Sequence, residues 1–261
     1  MEKDTVFFEI GEYRDDVFRP LGIRAIRESV LRILVNGWEA ARLMCTGSSL
    51  RCLAAGYLLT CGLIQTRADI LELAVEEGQD AFLARVRLRE SPPAELGVSI
   101  TSGLGREIRP ANMRPPAALP EKKAWLPPQS IIDLAQELER RSTLYRLTHG
   151  CHNASLCTAT GMLVFCSDIG RHNAIDAIVG QCLLEAMSTT DKMIVTTGRI
   201  ASEIVHKALR AGIPALASTA VATSLAVDMA RKSGLTLIGN VTDTGFWVYN
   251  DPGRLIHAQG S

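Results

Sequence analysis

Leu163-Val164-Phe165-Cys166-Ser167-Asp168-Ile169-Gly170-Arg171-His172-Asn173 is the stretch that decides the fold. A short apolar run ends in a polar, glycine-containing turn, and an amphipathic pattern follows from about Asn173 to Met187. A run this short, flanked by turn residues, reads as a buried strand feeding a helix. The same grammar recurs downstream. Met193 to Val195 passes through Thr196-Thr197-Gly198-Arg199 into a helix from about Ala201 to Arg210. Ala215 to Ala217 passes through Ser218-Thr219-Ala220-Val221-Ala222 into a helix from about Thr223 to Lys232, which Gly234 terminates. Leu235 to Ile238, the polar Asn240-Val241-Thr242-Asp243 and a last extended piece from Phe246 to Tyr249 complete the pattern. Alternating strands and helices imply right-handed crossovers and an α/β fold with a mainly parallel sheet.

Upstream the rhythm changes. Val30 to Val35 and Trp38 to Met44 read as a hairpin around Asn36-Gly37, a type I′ turn pair. A helix follows, with Ser48 or Ser49 as cap and Leu50, Leu53, Tyr57, Leu58 and Cys61 on one face. Alternation through Leu71, Leu73 and Val75, then Phe82, Ala84, Val86 and Leu88, gives a second hairpin. Residues 90–128 hold eight of the eleven prolines, which predicts a long irregular connector. A helix runs from about Ser130 to Arg140, with Ile131, Leu134, Ala135 and Leu138 on one face. The expected organisation is a small α+β unit over 1–90, a proline-rich linker over 91–128 and an α/β domain over 129–261.

The chain of 261 residues carries 28 basic and 28 acidic side chains, so its formal charge is zero. This balance argues against nucleic acid or a membrane surface as partner. No apolar run is long enough to span a bilayer, and Met1 to Asp16 lacks the pattern of a signal peptide. A soluble cytoplasmic protein is the expectation. Seven cysteines without a C-x-x-C pair argue against a disulfide framework or a zinc knuckle. The phosphate loop G-x-x-x-x-G-K-[ST], the G-x-S-x-G elbow and the H-x-E with P-C-x-x-C pair of zinc deaminases are all missing from the sequence.

In an open parallel sheet, ligands bind beyond the carboxyl ends of the strands. The segments leaving there are polar, and three enter helices whose free N–H groups and dipole suit an anion. Arg171 and Arg199 add bidentate positive charge. An anionic, phosphorylated ligand at this edge is therefore expected. Taken singly, Asp168, Asn173, Ser202 and Thr223 are accounted for by helix capping. A second cluster, Thr148-His149-Gly150-Cys151-His152-Asn153, precedes a strand through Leu156. Cys151 beside His152 invites a nucleophile reading, although neighbours in a strand point to opposite faces.

These residues resemble a known family. Asp168-Ile169-Gly170-Arg171-His172-Asn173-Ala174 is similar to the D-I-G-R-H-N-A signature of FdhD/NarQ proteins. Thr197-Gly198-Arg199 with Glu203 and Lys207 is similar to the family's S-G-R-x-x-x-E-x-x-x-K block. Ala211 to Pro214, Thr223 to Val227 and Leu53 to Leu58 look like further blocks, and His152 falls where the family has T-G-G-x-H. The resemblance implies a cytidine-deaminase-like three-layer α/β domain without its zinc, and a homodimer. It implies a formate dehydrogenase accessory protein that takes sulfur from a cysteine desulfurase and sulfurates the guanylated molybdopterin cofactor (bis-MGD) before insertion, with a guanine nucleotide as a mimic of that cargo. The cofactor-binding residues it implies are His152, Asp168, Gly170, Arg171, His172, Asn173, Thr197, Gly198, Arg199 and Thr223, with no metal site.

The chain departs from the pattern where the family carries C-G-x-C-G. Here Ile100-Thr101-Ser102-Gly103-Leu104-Gly105-Arg106 has glycines and no cysteine. His149 and Cys151 also stand inside the T-G-G-x-H block. A hydroxyl cannot carry a persulfide, so two roles remain open. One is a sulfurtransferase working on a relocated thiol, Cys151 or Cys157. The other is a cofactor-binding accessory protein without sulfur transfer.

Overall fold

A computed structural model describes residues 4–90, 96–101, 105–110, 119 and 124–256. The chain opens on an antiparallel ribbon, β1 (Thr5–Arg14) and β2 (Val17–Ile26), closed by Asp15 and Asp16 at φ 50° and 61°. Two consecutive positive-φ residues make a type I′ turn, whose twist matches the strands. A four-stranded sheet follows, ordered β4 (Trp38–Cys45), β3 (Ser29–Val35), β6 (Phe82–Leu88), β5 (Ile70–Glu77). Leu31, Ile33 and Val35 of β3 are buried while Arg32 and Leu34 face the other way, the two-residue period of a half-buried strand. Asn36 and Gly37, at φ 49° and 87°, form the turn expected of them. Helix α1 (Leu50–Thr60) packs behind this sheet. Ser49 occupies its N-cap position in a left-handed conformation and makes no side-chain cap.

The proline-rich stretch is not wholly irregular. Leu96–Thr101 (β7) pairs antiparallel with Gly105–Pro110 (β8) in an isolated ribbon. Proline density hid it: the only proline inside either strand is Pro110, the last residue of β8, where a missing N–H costs little. Helix α2 (Pro128–Arg141) begins on a proline at its first turn, and α3 (Thr143–Thr148) is a single short piece that carries no readable period.

The remaining strands are β9 (His152–Cys157), β10 (Met162–Asp168), β11 (Met193–Thr196), β12 (Ala215–Ser218), β13 (Thr236–Gly239) and β14 (Trp247–Asn250). They form one sheet in the order β10-β9-β11-β12-β13-β14. β10, β11, β12 and β13 run the same way, as expected of strands joined by crossover helices. β9 and β14 run against them, so only the β11–β12 and β12–β13 pairings are parallel and the sheet is mixed. β9 returns directly into β10 through a tight turn, so no crossover helix separates them and antiparallel pairing is forced.

Three helices connect the parallel strands: α4 (Arg171–Leu184), α5 (Ser202–Arg210) and α6 (Ser224–Ser233). Side chains alternate strictly across the sheet. Ile194, Leu216 and Leu237 join the core formed with α4, α5 and α6, while Met193, Val195, Ala215, Ala217 and Ile238 join the core under α2. Both faces being covered explains why the strands read as unbroken apolar runs.

The first half docks through α1 against α4, and glycine makes the crossing possible. A Cβ on Gly56 would run into the Asp176 carbonyl, and one on Gly180 into the Cys52 carbonyl. A buried charge pair locks the same place. Lys207 of α5 donates to both carboxylate oxygens of Asp176 at 2.9 and 2.8 Å and to the Thr60 hydroxyl at 3.1 Å. Thr60 in turn donates to Asp176 at 2.7 Å. One core cluster accordingly runs from Leu31 and Ile33 through Leu58 to Ile175 and Leu216. Among the described residues no helix is long and apolar enough to cross a membrane.

Candidate functional site

The carboxyl ends of β10, β11, β12 and β13 meet along one edge. Because β9 runs the other way, it starts there. Register places His152 beside Asp168, Asn153 beside Ser167 and Ala154 beside Thr196. Asn153, 1% exposed, ties the edge together. Its carbonyl accepts from the Thr197 N–H at 3.0 Å and the Thr196 hydroxyl at 2.9 Å, its amide oxygen accepts from the Ser167 hydroxyl at 2.6 Å, and its own N–H donates to the Thr197 hydroxyl at 3.1 Å. The loops after β11 and β12 are linked as Ser218 donates to the Gly198 carbonyl at 2.8 Å.

Asp168 and Asn173 serve as a joint within the fold. One Asp168 oxygen accepts from the Thr46 N–H at 3.0 Å and the Thr46 hydroxyl at 3.1 Å; the other accepts from the Gly170 N–H at 2.9 Å and the Asn173 amide at 2.8 Å. Asn173 also donates to the Met44 carbonyl at 2.7 Å. The end of β4 is thereby pinned to the start of α4. Burial pushes the Asp168 carboxyl up, and these four donors pull it back. The Gly170 N–H is thus engaged within the protein, and the Gly198 N–H donates to the Thr196 hydroxyl at 3.2 Å. What Gly198 contributes is space: a Cβ there would lie 2.8 Å from the Arg171 Cβ. Of the residues read as caps, Thr223 acts as one, accepting from the Ala226 N–H at 3.4 Å. Ser202 falls inside α5, and Ala201 takes the cap position.

A cleft of about 710 Å³ opens at this edge. Its lining includes Cys151, His152, Asn153, Ile169, Thr197 and Thr219. The volume falls within the range of small-molecule sites. Positive charge is concentrated beside it. Burial depresses the His152 imidazole, and the Arg171 and Arg199 guanidinium charges depress it further. Arg171 is likewise held below its usual range, first by burial and then by Arg199. Two arginines repel each other across a space with a neutral histidine, an arrangement an anion would relieve. Arg199 is exposed, Arg171 and His172 are half-buried, and Glu203 offsets part of the charge on Arg171.

The sequence pattern did not place the preceding segment at this site. Glu139 of α2, Ser142, and Tyr145 and Arg146 of α3 join His149 in the cleft lining. Arg146 donates to the Glu139 and Arg140 carbonyls at 2.9 and 2.7 Å, closing the α2 terminus.

The two candidate thiols sit differently. Cys151 lines the cleft but is only 5% exposed, and burial raises its pKa to about 11. Cys157 lies in the core under α2 beside the Ser155 hydroxyl at 3.2 Å, and burial likewise raises it to about 11. The stretch that replaces C-G-x-C-G spans the β7–β8 ribbon, and Ser102 to Leu104 lie outside the described residues.

The sequence profile of the FdhD/NarQ family matches residues 26–256. The chain belongs to the FdhD/NarQ family. It is 30% identical over 258 residues to the sulfur carrier protein FdhD of Bacillus subtilis strain 168, covering 97% of this chain and 98% of that protein. Against the sulfur carrier protein FdhD of Geobacillus kaustophilus the identity is 33% over 251 residues, 95% of each chain. Among solved structures, a formate dehydrogenase accessory protein from Desulfotalea psychrophila superposes with a TM-score of 0.80 at 25% identity, covering 97% of this chain and 99% of that one. Within FdhD/NarQ terms, Asp168, Asn173 and Lys207 of the signature blocks hold elements together, whereas His152 and Thr197 line the cleft and the charges of Arg171 and Arg199 act on His152.

Proposed function

We propose that this FdhD/NarQ chain serves a formate dehydrogenase as an accessory protein and holds the guanylated molybdenum cofactor in the cleft beside His152. Arg171 and Arg199 would hold the cofactor's pyrophosphate, and Thr197 and Thr219 would offer hydrogen-bonding groups to the rest of it. One observation carries the reading: His152 lines a cleft of about 710 Å³, and the charges of Arg171 and Arg199 act on its imidazole. Guanidinium groups match phosphate bidentately, so the arrangement selects a phosphorylated cargo. Titration calorimetry with GDP tests it. Arg199→Ala is expected to weaken GDP by about tenfold or more, from the roughly 2 kcal/mol of a hydrogen bond to a charged group. Unchanged affinity in that variant would count against the site.

A second reading, sulfur carriage, is favoured by the place of Cys151 in the lining of the same cleft. Against it stands the thiol's raised pKa, since a carrier works as the thiolate. Incubating the reduced protein with a cysteine desulfurase and cysteine, followed by peptide mass spectrometry, separates the two. Persulfide on Cys151 supports carriage from within the cleft. A clean spectrum, with the desulfurase active on a C-G-x-C-G relative, leaves cofactor holding as the function.

A further inference from the structure

The wall contributed by α3 is built in a way that packing does not require. Tyr145 and His149 meet edge to face, with ring centroids 5.2 Å apart and planes at 75°. Both line the cleft, and both remain exposed, Tyr145 by 42%. A ring pair that buries so little contributes little to the core. His149 is also held at φ 51°, in the left-handed region that glycine fills without strain. Its N–H donates to the Tyr145 carbonyl at 2.7 Å, which fixes the ring pair on the last turn of α3. Gly150, next in the chain, abuts Ile26 so closely that a Cβ would lie 2.9 Å from it, so the root of the β1–β2 ribbon braces this wall from behind. A left-handed residue, an exposed aromatic pair and a close backbone approach therefore coincide in the lining of the cleft that also holds His152.

We infer that Tyr145 and His149 form a stacking platform for the planar heterocycle of the bound ligand, a purine or pterin ring, and so discriminate a nucleotide from a bare phosphate. The inference rests on the cofactor-holding reading above and deepens it. Arg171 and Arg199 bind charge without regard to the base, whereas an aromatic face accepts any flat heterocycle. Ile169, also in the lining, supplies apolar surface for the same ring.

The test compares GDP with inorganic pyrophosphate by calorimetry on the full chain. Tyr145→Ala is expected to lower GDP affinity about tenfold, the scale of one lost base–aromatic stack, and to leave pyrophosphate affinity unchanged. Tyr145→Phe should retain GDP binding. His149→Gly should weaken GDP while raising the melting temperature, because the ring is lost and the left-handed backbone is relieved. A role in structure alone would not move those two readouts in opposite directions. GDP affinity equal to wild type in both Tyr145→Ala and His149→Gly overturns the platform, as does a parallel loss of GDP and pyrophosphate. A wild-type chain that binds neither probe overturns the cofactor-holding reading, and the platform with it.

Discussion

Replacing Lys207 by methionine should unfold this protein far more readily while leaving its ligand chemistry alone. Lys207 falls in one of the family's signature blocks, which invites a catalytic reading. The structure assigns it to the joint between α1, α4 and α5. Its ammonium and the Asp176 carboxylate are each 2% exposed and 2.8 Å apart, with the Tyr57 ring 5.9 Å away. Lys207→Met keeps most of the volume and removes the charge. Asp176 then loses the ammonium that faces both its oxygens, while the Thr60 hydroxyl still donates to it at 2.7 Å. Stranding one partner of such a pair costs about 3–5 kcal/mol, against a total stability of roughly 5–15 kcal/mol for a domain. Urea unfolding followed by circular dichroism at neutral pH should show the midpoint falling accordingly. Lowering the pH protonates the stranded carboxylate and should return part of the loss. Adding Asp176→Asn should return more than half, because the uncompensated charge is then gone. A Lys207→Met midpoint within about 0.5 kcal/mol of wild type would refute the reasoning, since surface substitutions are of that size.

Gly180→Ala should destabilise by more than the 1–3 kcal/mol typical of overpacking, because the added methyl meets the Cys52 carbonyl rather than a flexible side chain; a wild-type melting temperature would show that α1 and α4 are not packed as described. The pH dependence of stability should carry the mark of His152. Its folded pKa lies below the ordinary 6.5, so the unfolded chain takes up the proton first, and stability falls as pH drops through 6.5 toward the depressed folded value. His152→Gln should remove that part of the slope between pH 7.5 and 5.5, a range about one unit either side of the ordinary histidine value; an identical slope would show that neither burial nor the two arginine charges depress His152.

The second half of the fold was legible because its strands are covered on both faces and so read as apolar runs between helical periods. The direction of β9 was not, since apolar content says nothing of strand polarity. The β1–β2 ribbon escaped notice for two reasons. Its turn is Asp15-Asp16, without the glycine or asparagine that marks such turns. Its strands also place Phe7 and Phe8 side by side, both exposed, so there is no alternation to read. At the site, the cations and His152 followed from motif and topology. The role of Asp168 did not, because its partner Thr46 lies 122 positions away. A carboxylate at a strand end looks the same in sequence whether it faces a ligand or a distant backbone. The α3 wall was missed for want of length: six residues cannot show a period.

We propose that the cleft at the β9–β11 edge receives the guanylated end of the cofactor. A crystal structure of the full chain grown with GDP tests it most directly. The account predicts the diphosphate within hydrogen-bonding reach of Arg171 and Arg199 and the guanine between Thr197 and the Tyr145–His149 pair. Nucleotide bound elsewhere, such as in the groove lined by Arg85, Arg87 and Arg89 on β6 and beyond, with the His152 cleft left to solvent, would contradict it.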